Sequence, residues 1–359
     1  MGLHELTLRN FRPFQDYVFR PDHESVTVLL SPNGTGKTSI LEAVYALATA
    51  SSFRTSTAAD MIRSHHDLAE VHGTLFQGAR RIQVDLTLRR GVRNTTKRML
   101  VNGQRPTSRA DLAEVLPLTI FTPEGVDVVR HGPEHRRVLL TNLLTDVWPH
   151  TSDVVERFAR VLQQRNALVR SFQGLTPSNR QREELEVWNR EFADSAVELV
   201  TARRSLLQGL EPLITHFYQE IAHNTNAVVV EYEPSWSGDI HSALHSALQD
   251  DTHRGYSTIG PHRDDVIFRL DGRDARRQAS QGEQRSLALA VRLAGHHLVQ
   301  RERGVAPLLL LDDVFSELDP ARSDQLLRLL PVGQTLVTTA SPLPHAMTPA
   351  AVIDVTVGA

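Results

Sequence analysis

The 359-residue chain has no cysteine, which excludes a disulfide framework, a thiol nucleophile and a thiolate metal site. The 17 histidines leave imidazole sites open, and most of them are read as surface residues. No run of about eighteen apolar residues exists to span a bilayer, and the first residues lack the apolar core of a secretory signal. A cytoplasmic protein without a membrane partner is expected. A net charge of −3 excludes a uniformly basic nucleic-acid binder, so any contact with DNA must come from a local patch. Low-complexity tracts and internal repeats are absent. Lysine is nearly absent too: of 39 basic residues only Lys37 and Lys97 are lysine.

Lys37 stands in the stretch that organises the chain, Ser31-Pro32-Asn33-Gly34-Thr35-Gly36-Lys37-Thr38-Ser39. A short β-branched strand, Val26 to Leu30, precedes it, and a helix beginning at Thr38 follows, with Ile40, Leu41, Val44, Tyr45 and Leu47 at helical spacing. Such a loop converges backbone N–H groups on the β- and γ-phosphates of a nucleotide, and the helix dipole adds to the field. Lys37 supplies a point charge, and Thr38 a hydroxyl for Mg²⁺. The usual pattern opens with glycine where this chain has Ser31, but Gly34 and Gly36 remain where backbone must approach phosphate closely. The alternative is a glycine-rich turn that binds nothing.

A length of 359 residues suggests about two domains, and 40% apolar content fits a globular protein. Runs at Leu3 to Leu8 and Val26 to Leu30, with Asn10-Phe11-Arg12-Pro13 between, predict a hairpin leading into the phosphate loop. Strands are expected at Ala69 to Leu75 and Arg81 to Leu88. From Thr87 to Ala110 no acidic residue occurs, while Arg89, Arg90, Arg93, Lys97, Arg98, Arg105 and Arg109 do. With Asn102-Gly103 as a turn signal, this reads as a basic β-hairpin and the candidate DNA contact, or as a solvated edge whose charges deter aggregation. Long helices follow: Val138 to Leu144, Val154 to Phe172, Arg182 to Leu207, and another from Glu211-Pro212 to Ile221, with a break at Gly174 to Asn179. They predict an antiparallel helical arm inserted into an α/β body; no Glu-x-x-His pair favours a metal bundle. The expected domains are residues 1–137, the N-terminal part of an ATPase head; 138–225, the arm; and 226–359, the C-terminal part of the head.

Three late segments define the chemistry. Leu308 to Leu311 is a buried strand ending in Asp312-Asp313, which places Asp312 on the Mg²⁺ shell and Asp313 as the group that orients or deprotonates the attacking water. The alternative is a pair of helix-capping aspartates. Ser280-Gln281-Gly282-Glu283-Gln284-Arg285 opens a helix and offers a second anion site, and Ser316-Glu317-Leu318-Asp319 follows the Asp-Asp pair. In this order the segments match the ATP-binding cassette layout. There the signature helix of one subunit, here Ser280, Gln281, Gly282 and Gln284, covers the γ-phosphate held by the other, so ATP would join two heads.

Asn10-Phe11-Arg12, the phosphate loop, Ser52-Phe53-Arg54, Pro123-Glu124, Gly132-Pro133 with Arg136-Arg137, Gly260-Pro261-His262-Arg263-Asp264-Asp265, Ser280-Gln281-Gly282 and Leu311-Asp312-Asp313 through Asp319 together resemble the RecF family of SMC-like ATPases. The resemblance covers nearly the whole chain except the arm. It implies an α/β fold, an ABC-type P-loop ATPase head with an inserted antiparallel α-helical arm. It further implies an ATP- and Mg²⁺-dependent homodimer that binds duplex DNA at single-strand gaps, works with RecR and RecO, and promotes RecA loading in repair, replication recovery and the SOS response. Two rivals share the phosphate loop. A transporter's nucleotide-binding subunit lacks an inserted helical arm, and a small-molecule P-loop kinase has no use for the Ser280 segment or the Ser-Glu-Leu-Asp turn.

Overall fold

Alternation of apolar and polar residues over Gly2–Phe11 (β1) buries Leu6 and Leu8 on one face. The chain then turns at Arg12, whose φ of 52° is left-handed, and returns as Phe14–Phe19 (β2), antiparallel to β1. This is a correction: the partner of the first strand is β2, and Val26–Leu30 (β3) belongs to a different sheet. The loop after β3 leads to helix α1, Lys37–Thr49. Strands Leu68–Gln77 (β4), Arg80–Arg90 (β5) and Thr95–Val101 (β6) follow, then helix Arg109–Val115 (α2) and strand Leu118–Phe121 (β7). One helical turn, Asp127–Arg130 (α3), and the helix Pro133–Val147 (α4) lead to the long helices Thr151–Ser171 (α5) and Asn179–Ala222 (α6). After them come Val228–Glu233 (β8), Ile240–Arg254 (α7), Asp265–Leu270 (β9), Arg273–Asp274 (β10), Ala275–Gln278 (α8) and Gln281–Arg303 (α9). Leu308–Asp312 (β11), Pro320–Leu329 (α10), Thr335–Thr339 (β12) and Ala351–Ile353 (β13) complete the order. The computed structural model describes residues 2–92, 94–172, 178–340 and 347–355.

Two units are distinguished: Met1–Gly125, Glu220–His223 and Leu289–Ala359 form the first, and Val126–Gln219 with Asn224–Ala288 the second. Residues 226–288, expected from sequence to belong with the head, therefore group with the arm helices. In the first unit an antiparallel sheet runs β2-β1-β4-β5-β6 and a parallel sheet runs β13-β3-β12-β11-β7. Every residue of β11 and β12 is buried, including Asp312 at the end of β11, as the run of four leucines and the apolar and hydroxyl residues of β12 require of strands covered on both faces. Ile40, Leu41, Val44 and Leu47 of α1 share one core with Leu6 and Leu86 of the antiparallel sheet and Leu310 and Leu336 of the parallel one. The phosphate loop is thus anchored between a buried strand and a buried helix.

In the second unit β10-β9-β8 form a small antiparallel sheet. Arg157 of α5 pairs with Glu191 and Glu198 of α6, and Arg165 donates to Asn189 at 2.9 Å, so the two helices run antiparallel. Arg165 and Asp251 make a fully buried ion pair at 2.7 Å, with Ser257 Oγ a further acceptor for the guanidinium. Helix α6 continues through Pro212, where the sequence suggests a fresh start. A proline inside a helix costs about 3 kcal/mol, but the apolar stripe continues on both sides, with Leu207, Leu210, Ile214, Phe217, Tyr218 and Ile221 all buried, and this burial outweighs it. Of the expected break, residues 173–177 lie outside the described residues.

Candidate nucleotide site and basic hairpin

The phosphate loop needs backbone freedom at two positions. Gly34 and Gly36 have φ of 85° and 95°, and a Cβ on Gly36 would meet Phe14 Cζ at 2.7 Å. Lys37 is buried, and its Nζ donates to the carbonyls of Ser31 and Pro32, the latter at 2.7 Å. Burial lowers its pKa, with the Asp313 and Asp312 carboxylates opposing that shift. Ser31, read from sequence as a phosphate contact, has its hydroxyl occupied elsewhere: it lies 2.5 Å from Asp354 Oδ1 and accepts from Val355 N at 2.7 Å. The serine in place of glycine thereby ties the loop to the segment after β13, which pairs in parallel with β3.

Parallel pairing of β11 with β12 sets Asp312 opposite Thr338. Thr338 Oγ1 donates to Asp312 Oδ1 at 2.7 Å, and Thr38 Oγ1 donates to the same oxygen at 2.8 Å. Burial raises the pKa of Asp312, and these two hydroxyl donors oppose the rise. The hydroxyl of Thr38 and the carboxylate of Asp312, both hard oxygen donors, are the pair that would hold Mg²⁺. Asp313 adopts left-handed backbone, φ 49°, and its N–H donates to Thr338 O at 3.1 Å and to Thr338 Oγ1 at 3.0 Å. Its Oδ1 is buried without a hydrogen-bond partner among the described residues. Lys37, Thr38, Asp313 and Thr338 line one cavity of about 510 Å³ with Asn33, Gly34, Gly36 and Ser39. Asp313 thus lines the same cavity as Lys37 and Thr38, whose hydroxyl is bonded to Asp312, an arrangement that fits water bound beside a nucleotide–metal complex.

Three arginines on the same cavity were not assigned a role by sequence: Arg12, Arg54 and Arg63. Glu42, fully buried within α1, receives Arg12 bidentately at 2.7 and 2.6 Å, Arg54 at 3.3 Å and Ser52 Oγ at 2.5 Å. Arg63 donates to the Pro13 carbonyl. The signal available in sequence was a charge inside the apolar run Ile40-Leu41-Glu42-Ala43-Val44, which requires a cation partner.

In the second unit Ser280 caps α9. Its N–H donates to Glu283 Oε2 at 2.7 Å and its Oγ accepts from Glu283 N at 3.3 Å, a reciprocal capping box that lowers the Glu283 pKa. Ser280 and Gln281 are exposed. Gln284, expected to contact nucleotide in trans, is buried with its amide fully engaged: Nε2 donates to the Ala275 and Arg276 carbonyls, and Oε1 accepts from Arg130 Nε at 3.0 Å. It holds the start of α9 in place.

The basic segment is a hairpin of β5 and β6 closed at Gly91–Asn94, with Gly91 N donating to Asn94 O. Asn102-Gly103 forms a second, left-handed turn after β6, bringing Val101 to Gln104. The register splits the charges between faces. Thr87 pairs with Arg98 and Arg89 with Thr96, so Arg89 and Arg98 share the face opposite the core; Leu88, buried, pairs with Lys97. Lys97 Nζ donates to the Ala50 carbonyl and Arg90 lies 3.9 Å from Asp67. Arg89 and Arg98 are exposed and have no side-chain partner among the described residues, whereas Arg93 lies outside them. Their face also carries Glu70, opposite Thr87, and Asp85, so the acid-free run in sequence is not acid-free in space.

A family described as the RecF/RecN/SMC N-terminal domain matches residues 2–345. The DNA replication and repair protein RecF of Acidothermus cellulolyticus is 35% identical over 95% of this chain and 94% of that protein. The RecF protein of Streptomyces avermitilis is 33% identical over the same shares. Among solved structures, the recombination mediator protein RecF with ATP superimposes with a TM-score of 0.90 at 24% identity, covering 100% of this chain and 96% of that one. An Smc head bound to the C-terminal winged-helix domain of ScpA gives 0.54 at 16% identity over 95% and 90% of the two chains. The fold is therefore that of an ABC-type ATPase head of the SMC class with a helical arm, and the chain belongs to the RecF family of DNA replication and repair proteins.

Proposed function

We propose that this chain is an ATP-dependent DNA-binding recombination mediator. The observation that carries the proposal is the convergence of the Thr38 and Thr338 hydroxyls on one carboxylate oxygen of Asp312, with Lys37, Thr38, Asp313 and Thr338 lining a single cavity. Lys37 exchanges its loop carbonyls for the β- and γ-phosphates of ATP, and the Gly34–Gly36 backbone cradles them. Mg²⁺ held by Thr38 and Asp312 supplies charge neutralisation at the phosphates. Asp313 orients the attacking water and takes its proton, and the shorter aspartate in a position often held by glutamate fits slow, DNA-stimulated hydrolysis.

Ser280, Gln281 and Gly282 of a second copy cover the γ-phosphate, so that ATP joins two heads and hydrolysis releases them. The dimer binds duplex DNA next to single-strand gaps through Arg89, Arg98 and the neighbouring basic residues Arg90, Arg93 and Lys97. With RecR and RecO it promotes RecA loading in repair, replication recovery and the SOS response, in the cytoplasm. Relatives named for DNA replication and repair speak against the transporter-subunit alternative. Lys37→Met removes the loop's only cation, so fluorescent-ATP titration should show binding lost in the variant. Parental affinity would overturn the assignment.

A further inference from the structure

We propose that Asp127, His131 and His135 form a binding site for one divalent transition-metal ion of the zinc class. Their ligand atoms all lie within 4.8 Å of one another. The sequence shows only two successive i,i+4 spacings, Asp127–His131 and His131–His135; on an unbroken helix residues eight apart are separated by about 12 Å along its axis. The three converge because the helix is broken. Helix α3 ends at Arg130, His131 and Gly132 are extended with ψ of −174° and 174°, and Pro133 starts α4 in a new direction, folding His135 back toward Asp127.

The corner is braced independently of the three side chains. Arg136, 3% exposed, donates to the carbonyls of Val128 and His131 at 3.1 and 2.9 Å, and Asp265 grips the same guanidinium at 2.7 and 2.9 Å. The ligand-bearing backbone is therefore fixed by a buried ion pair, and only side-chain rotation is needed to close the site. Asp127 Oδ1 and His131 Nδ1 are 3.0 Å apart, close to the roughly 3.3 Å between two donors that sit 2.0–2.1 Å from a tetrahedral ion. The imidazoles of His131 and His135 have centroids 5.2 Å apart, and both are exposed, so an ion can reach them without opening the fold. Two imidazoles and one carboxylate select Zn²⁺, Co²⁺ or Ni²⁺ over Mg²⁺, leaving a fourth position for water. The same corner carries Arg130, which donates to Gln284 of α9 and accepts from Arg276 at 3.3 Å, so metal would stiffen the support of the Ser280 segment.

The test uses the full, tag-free chain dialysed against chelator and titrated with Zn²⁺ against a chromophoric competitor, then with Co²⁺ alone. One equivalent bound, with the intense visible bands of four-coordinate Co²⁺, is expected. The H131A/H135A double variant should bind at least about tenfold more weakly, and Asp127→Asn should weaken binding without abolishing it. Hydrogen exchange over residues 127–137 should slow with Zn²⁺ in the parent only. No stoichiometric binding by the parent, or equal affinity in a double variant with parental circular dichroism, would overturn the site.

Discussion

Replacing Asp313 by Asn separates nucleotide binding from turnover. The substitution keeps size and retains what holds the residue: left-handed backbone, which Asn tolerates as Asp does, and the N–H donated to Thr338 O and Oγ1 at 3.1 and 3.0 Å. The Thr38–Asp312–Thr338 cluster does not involve the altered side chain, so Mg²⁺ and ATP should bind as in the parent. What is lost is the negative charge of a carboxylate that lines the nucleotide cavity. A group that positions water and takes its proton contributes about 10²–10⁴-fold, or about 2.7–5.4 kcal/mol of barrier. Single-turnover hydrolysis with protein in excess over ATP and duplex DNA present reads the chemical step, and a nucleotide titration reads affinity. A rate down by about 10² or more at unchanged affinity is expected. An unchanged rate, or affinity lost in parallel with rate, would refute the role of Asp313.

Glu42→Gln should lower stability by about 3 kcal/mol, because it leaves Arg12 and Arg54 without their buried counter-charge; an unchanged urea midpoint at pH 7 would contradict this. It should also weaken ATP binding, since both arginines line the cavity. Stability should fall between pH 7 and 5: burial lowers His262 to about 4 and His296 to about 3, so the unfolded chain takes up protons near pH 6.5 that the folded chain refuses. Each histidine then costs about 2 kcal/mol by pH 5, in different units; Asp264 and Asp312, raised by burial, oppose the loss only as pH nears the carboxylate range. Denaturant midpoints that stay flat over this window would exclude the effect. Replacing Arg89 and Arg98 by Ala should reduce the salt dependence of duplex binding with ATP by about 0.9 in slope per lost phosphate contact, irrespective of DNA sequence; an unaltered slope would place DNA elsewhere.

The nucleotide loop and the Asp312-Asp313 strand were legible because their chemistry is written in contiguous residues: glycines at positive φ, a lysine, and an apolar run that must be buried on both faces. The Arg12–Glu42–Arg54 cluster was not, because its members are brought together only by the turn after β1 packing on α1. The first hairpin was assigned the wrong partner because Gln15, Asp16 and Tyr17 blur the alternation of β2, while Val26–Leu30 is the more apolar run. Pro212 marked a break that tertiary burial overrides. Gln284 looked like part of an exposed motif, but its neighbours' carbonyls and Arg130 consume its amide. For Asp127, His131 and His135 the two i,i+4 spacings were legible, but the convergence of all three depends on a two-residue extension that the sequence marks only by Gly132-Pro133.

Sedimentation of the chain with and without Mg²⁺–ATP, repeated with gapped duplex, tests the central claim most directly. The account predicts a monomer that doubles in mass with ATP, binds gapped duplex as the dimer, and fails to double when Ser280→Arg blocks the exposed start of α9 while leaving nucleotide binding intact. A mass that ATP does not change, or a Ser280→Arg variant that doubles like the parent, would contradict it.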